Sequence, residues 1–321
     1  MRSLGGRLEA DGTGTREALA RHPGTAKLVV VMVTIVVLFG FGPPVAKLVT
    51  APAMVSASVR FWIAMPFLWV IAYAIKRPVS LFILRRTALP GVFFGLNVVL
   101  NFAALKHSSV AVLSIILTLQ PGVVLLVAGP WLGERATLWH GAWTMVAVAG
   151  VVGSVLAGDP KVRGSLLGLA LGVGSMVSFT AFYLLSRREH SKSSIHPIQW
   201  MAGIALVALI VVTPVTLLGS SWSDYHKMGG TDLLFMAYVT MAGTVGHVML
   251  TWAHRYIPAT RSSLILLLMN VVATAAAWPI HHEPVTLAQA AGGFVVLAAV
   301  GAVVSRPGAS VAEELPDPMN L

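Results

Sequence analysis

Apolar residues run through this chain in long uncharged windows, separated by short breaks that hold most of its charges. A helix that crosses a bilayer needs roughly 20 consecutive apolar residues. Windows of that kind lie at residues 28–46, 61–75 extended back to about 56, 87–105, 109–129 and 138–157. They continue at 164–185, 198–218, 232–252, 262–280 and 285–304. The pattern therefore predicts ten spanning helices. The second window reaches full length only by starting near Ser56, so it takes in Arg60. The first carries FGFGPPVAKL at 39–48, where two adjacent prolines are expected to end or kink the helix early.

Composition agrees with the windows. Of 321 residues, 56% are hydrophobic and 11% charged, with mean hydropathy +0.82. A soluble domain carries about 25% charged residues. So few charges cannot cover a water-facing surface, and the chain is expected to be an integral membrane protein. The net charge of +10 then points to cytoplasmic loops facing anionic lipid, and not to nucleic acid. No cysteine is present, which excludes disulfides and thiolate metal sites.

The basic residues orient the bundle. With the N-terminus in the cytoplasm, inside segments hold Arg2, Arg7, Arg16, Arg21, Lys27, Lys76, Arg77, Arg85, Arg86, Arg135, Arg187, Arg188, Lys192, Arg255 and Arg306. Outside segments hold only Lys47, Lys106, Lys161, Arg163 and Lys227. This asymmetry fits an even number of spans with both termini cytoplasmic, in the cell's inner (plasma) membrane. Residues 1–27 interleave five cations with Gly, Glu and Asp and do not read as a cleavable signal. That tail and the C-terminal tail 306–321 are both expected to be disordered.

One arrangement is written twice. LQPGVVLLVAGPWLGERATLWHGAW at 119–143 and LMNVVATAAAWPIHHEPVTLAQAAG at 268–292 match without a gap at a shift of 149. Pro121 falls on Asn270, Glu134 on Glu283, Thr137 on Thr286 and Leu138 on Leu287. Hydrophobic runs match by chance, but the acid and the following Thr-Leu do so less readily. Five helices are thus repeated, residues 28–158 and 164–305. Because five is odd, the second copy enters from the opposite side. The fold class is an all-α polytopic membrane protein of ten helices in two inverted five-helix repeats, an arrangement common among secondary transporters. Pro121 is expected to break its span. Glu134 and Glu283 sit where helices five and ten begin, and an acid there accepts free N–H groups at the positive end of a helix. Both read as structural caps, because neither lies near the bilayer midplane where a transport acid is most telling.

These stretches resemble the drug/metabolite transporter superfamily in its EamA-type branch. FGFGPPVAKLVT (39–50), ASVRFWIAMPF (57–67) and NFAALKHSSVAVLSIILTLQPGVVLLV (101–127) carry the likeness in the first repeat. WAHRYIPATRSSLILLLMNVVATAAA (252–277) and HEPVTLAQAAGGFVVLAAVGAVV (282–304) carry it in the second. The resemblance implies movement of small metabolites, amino acids and their relatives, with export as the favoured direction. It also marks an arginine in the second helix. One departure is Asn270, where the family usually repeats the proline.

Polar residues inside spans need a reason. Asn97 and Asn101 lie i, i+4 on one face of the third span. Gln120 lies in the fourth, Tyr183 in the sixth, Tyr238 and His247 in the eighth, and Asn270 in the ninth. Each could line a cavity, or could join helices by hydrogen bonds as Ser and Thr do. His247 is the candidate for carrying a proton. The repeat sets it opposite Val98, beside Asn97, so both come from equivalent regions of the two halves. Arg60 either snorkels to the outer headgroups or pairs with a substrate carboxylate. Gly164, Gly168 and Gly172, with the glycines of spans five and ten, read as close helix contacts.

Rival classes find little support. No GxSxG, HExxH or P-loop motif is present, so no catalytic residues, cofactor or ATP site are expected. His281, His282 and Glu283 are clustered in an outer loop but lack a partner motif, and no metal is expected. The leading expectation is a secondary transporter for an amino acid or a related zwitterion or anion, working by alternating access. No mid-span acid is available to hold a lipophilic cation, which disfavours multidrug efflux. A receptor or scaffold without transport has no use for two opposed copies. Expected partners are the substrate and membrane lipid, with no nucleic acid. A homodimer through helix faces and a monomer are equally open.

Overall fold

Each window forms helix, and the reason is the same throughout: in hydrocarbon a backbone must satisfy its own hydrogen bonds. A computed structural model describes residues 23–105, 107–108, 110–134, 137–158, 165–282 and 285–305. The first repeat holds α1 (Thr25–Ala46), α2 (Ala53–Ala74), α3 (Leu81–Leu105), α4 (Val110–Thr118), α5 (Gln120–Leu132) and α6 (Leu138–Gly158). The second holds α7 (Leu166–Lys192), α8 (Pro197–Gly219), α9 (Trp222–His226), α10 (Gly230–Ala253), α11 (Ala259–Leu266), α12 (Leu268–His281) and α13 (Leu287–Val304). Among the described residues ten helical segments are long and apolar enough to cross a membrane, α4–α5 and α11–α12 each counting as one broken span. Residues 1–22 and 306–321, and Glu283, lie outside the described residues, while Thr25 to Lys27 of the expected N-terminal tail belong to α1.

The two broken spans have different local causes. At Leu119 the ladder tightens, with Leu119 N–H donating to Ile116 O and Gly122 N–H to Leu119 O. Pro121 has no N–H to continue the α-helical pattern. At Leu267 the same tightening occurs, with Leu267 N–H on Leu264 O and Asn270 N–H on Leu267 O. Here the side-chain amide of Asn270 also donates to Leu267 O at 3.3 Å. The departure from proline therefore leaves the break in place, made by an amide instead of a missing donor.

The early stop expected in the first helix does not occur. Pro43 and Pro44 lie inside the last turn of α1, which runs on to Ala46. A proline near a helix end removes few bonds, and His281 Nε2 supplies a donor to the Pro44 carbonyl at 2.8 Å. The short α9 was not signalled by any apolar window. A capping box of Ser221 and Asp224 starts it. Lys227, then Ser221, hold the Asp224 carboxyl down at about 2.

Packing follows the inverted pairing. Helix α3 lies against α7, as α10 lies against α1, and α2 meets α8. Helices α6 and α13 pack on each other. A Cβ on Gly292 would stand 2.6 Å from Gly150 O, so backbones touch there. Gly150 and Gly292 thus serve a contact within the chain, while Gly153 and Gly301 meet nothing within 4 Å. Gly172 faces Leu113 and Ile116, also a helix contact. Helix α3 closes on α8 through Gly91, Gly95 and Gly203, whose added Cβ atoms would strike Val207, Val211 and Thr87.

Candidate functional site

The end of the bundle that carries Arg86, Arg187, Arg188, Lys192 and Arg255 is tied by charged hydrogen bonds. Glu134, 8% exposed, accepts from Ala259 N–H at 2.8 Å, Thr260 N–H at 3.0 Å and Thr260 Oγ1 at 3.1 Å. Arg187 Nε donates to the same carboxylate at 3.0 Å, and its guanidinium also reaches the His254 carbonyl. These bonds go to the first turn of α11, not to α6. Glu134 caps α11, a helix of the other repeat, because Gly133 (φ +71°) turns the chain back after α5. Nearby, Tyr183 and Ser262 share a hydroxyl bond at 2.5 Å, and Arg86 pairs with Glu189 at 2.8 Å. Arg255 reaches the Ile195 carbonyl. Spans four, six, eight and nine are joined at this basic end.

The opposite end is tied by fewer charges. Thr50 donates its N–H and its hydroxyl to Asp232 at 2.9 and 2.8 Å. Ser58 meets the Tyr225 hydroxyl at 2.9 Å, and Trp62 Nε1 donates to Thr213 Oγ1 at 3.0 Å.

Between these ends, His247 stands inside a ring of phenylalanines. Ring centroids lie 4.9 Å away at Phe39, 5.0 Å at Phe94, 5.9 Å at Phe182 and 6.3 Å at Phe179. These come from α1 and α3 of one repeat and α7 of the other, converging on α10. Gly246 makes room, since a Cβ there would stand 2.5 Å from the Phe39 ring. His247 is 7% exposed and its Nδ1 has no hydrogen-bond partner.

Arg60 lies one turn along. Its guanidinium Nη2 is 3.0 Å from where a Gly243 Cβ would be, and Gly243 precedes His247 by four residues on α10. Residues four apart share a helix face. Arg60 is half-buried and makes no hydrogen bond or ion pair among the described residues. An unpaired cation inside a span is costly.

The remaining candidates sort by what they touch. Gln120 is buried with Nε2 unpartnered, and Thr240 Oγ1 is likewise unpartnered. Asn97 is engaged: its side-chain and backbone oxygens accept from Ser175 Oγ at 2.9 and 3.1 Å. Asn101 is half-buried, one turn on. Asn270 bonds its own helix, and Tyr183 belongs to the basic end. Tyr238 is 46% exposed, on the outer surface of the bundle. Pro121 and Glu134 hold the positions described above. Nothing in the sequence marks the phenylalanine ring, since phenylalanine is ordinary in a membrane helix. In the sequence Arg187 stands out only as an inside-loop cation, and Asp232 carries no signal of its tie to Thr50. Among the described residues no group of three or more His, Cys, Asp or Glu could hold a metal ion.

Comparison with known proteins bears on this arrangement. The family described as "EamA-like transporter family" matches residues 26–156 and 166–305. No curated protein matches the sequence. One protein of known crystal structure covers 86% of this chain and 96% of its own, with TM-score 0.70 and 16% sequence identity. At that identity the likeness is one of fold.

Proposed function

The chain belongs to the EamA-like transporter family, and on that premise we propose that it moves a small organic zwitterion or anion, an amino acid or a relative, outward across the cell membrane by alternating access. It is a multi-pass membrane protein of a transporter family and not an enzyme. The observation that carries the substrate reading is Arg60, an uncommitted guanidinium inside a span beside His247. The described acids stand at the ends of the bundle, each bonded to neighbours. A cationic drug would meet Arg60 with no counter-charge, so multidrug-cation efflux is disfavoured.

Two packings of the inverted repeats, one open to each side, would expose this region alternately. With both termini cytoplasmic, the basic end faces the cytoplasm and its bonds around Glu134 close the inner side. Transport is facilitated and driven by the substrate gradient, because no embedded carboxylate is present among the described residues to carry protons. His247 is the candidate carrier if coupling exists. The test is saturable counterflow in proteoliposomes for amino acids, small organic anions and lipophilic cations. Flux of amino acids or anions, accelerated by substrate on the far side, supports the reading. Flux of cations alone, or unsaturable flux, overturns it.

A further inference from the structure

We propose that the Arg60–His247 region binds an aryl carboxylate, its carboxylate on Arg60 and its ring among Phe39, Phe94, Phe179 and His247. This rests on the transporter reading above and narrows it from zwitterion or anion to an aromatic anion.

Three observations carry it. The first is spacing. Gly243, which meets the Arg60 guanidinium, and His247, which centres the aromatic ring, are stacked on one face of α10. One helical turn separates them, about 5.4 Å. An extended two-carbon link between a phenyl ring and a carboxylate spans about 5 Å from ring centre to carboxylate carbon at ordinary bond lengths. Charge and ring in the site are thus offset as they are in such a ligand.

The second is available surface. Phe94 and Phe182 are buried at 5% and 2%, but Phe39 and Phe179 are only half-buried while still lying against His247. They have ring faces and edges to offer, and aromatic pairs gain from offset or edge-on contact. The third is charge. Among the described residues no carboxylate stands near Arg60. Glu134 is committed to α11 and Arg187, Glu189 to Arg86, Asp224 to Lys227 and Asp232 to Thr50. An α-ammonium would find no anionic partner and would face Arg60. A carboxylate without an amine has no such conflict.

The experiment is isothermal titration of the purified protein with 3-phenylpropanoate, hexanoate, phenylalanine and phenethylamine. Saturable binding of 3-phenylpropanoate is expected, about tenfold or more tighter than that of hexanoate or phenylalanine, with no binding of phenethylamine. Arg60→Gln should weaken 3-phenylpropanoate by about tenfold or more, and Arg60→Lys by less. Phe179→Ala should weaken 3-phenylpropanoate by more than it weakens hexanoate, narrowing the preference between them, which keeps the test sharp if Arg60 variants fail to fold. Phenylalanine or phenethylamine binding as tightly as 3-phenylpropanoate would overturn the assignment, as would a Phe179→Ala variant of unchanged preference. Counterflow separates this from the broader reading. Saturable alanine exchange that 3-phenylpropanoate neither joins nor inhibits would remove the aryl carboxylate and keep the transporter. Arg60-dependent binding of 3-phenylpropanoate with no solute carried would do the reverse.

Discussion

Arg60, Glu134 and His247 show how one side chain acquires different meanings inside a membrane. Glu134 is a buried anion with four donors, so its charge is fully compensated. Glu134→Gln keeps the shape but leaves Arg187 without its counter-ion. Breaking a buried pair costs about 3–5 kcal/mol. The variant should unfold at clearly lower temperature in detergent yet bind substrate with unchanged affinity. Complete loss of binding in folded protein would place Glu134 in the substrate site instead. Among the described residues His247 has no acid beside it, and its Nδ1 is unpartnered. Exchange in liposomes should ignore an imposed pH gradient, in wild type and in His247→Ala alike. Accumulation driven by pH in wild type and lost in His247→Ala would make His247 a coupling residue. Accumulation surviving the change would put the carrier elsewhere.

At the level of helices, the ten spans were legible because the bilayer imposes one requirement on every one of them. Their partners were not. The pairing of α6 with α13 depends on Gly150 and Gly292 meeting, and neither glycine differs in sequence context from Gly301, which touches nothing within 4 Å. Gly292→Leu should destabilise by about 1–3 kcal/mol through overpacking, while Gly301→Leu should leave thermal unfolding unchanged. Equal effects would contradict the contact. The repeat set Asn270 opposite Pro121, yet Asn270 shows that matching residues and matching geometry are separate matters. The ladder tightens at Leu267 without proline. Glu134 teaches the same thing across a longer range. Its place at a helix start was plain from the repeat, but the helix it caps belongs to the other half and could be found only from the fold. In the site, Arg60 and His247 stood out as polar residues in apolar windows. The phenylalanines around them carried no contrast to read.

The whole molecule joins these scales. Basic residues gather at one end, where Glu134, Arg187 and Thr260 tie the repeats together. Fusion reporters at Pro78 and Ser191 should read cytoplasmic, and one at Ser223 external. A reversed result at any of them would invert the assignment of inside and outside. The central claim is that the middle of the bundle opens to each side in turn. The absence of cysteine allows one to be placed at will. Thr244, 7% exposed on α10 between Arg60's neighbour Gly243 and His247, is the position of choice. The measurement is the rate at which a membrane-impermeant maleimide modifies Thr244→Cys from each face of oriented vesicles, with and without Glu134→Gln. Alternating access predicts modification from both faces. Loosening the inner ties with Glu134→Gln should then raise the inner rate and lower the outer one. Modification from a single face, or both rates rising together, would contradict it.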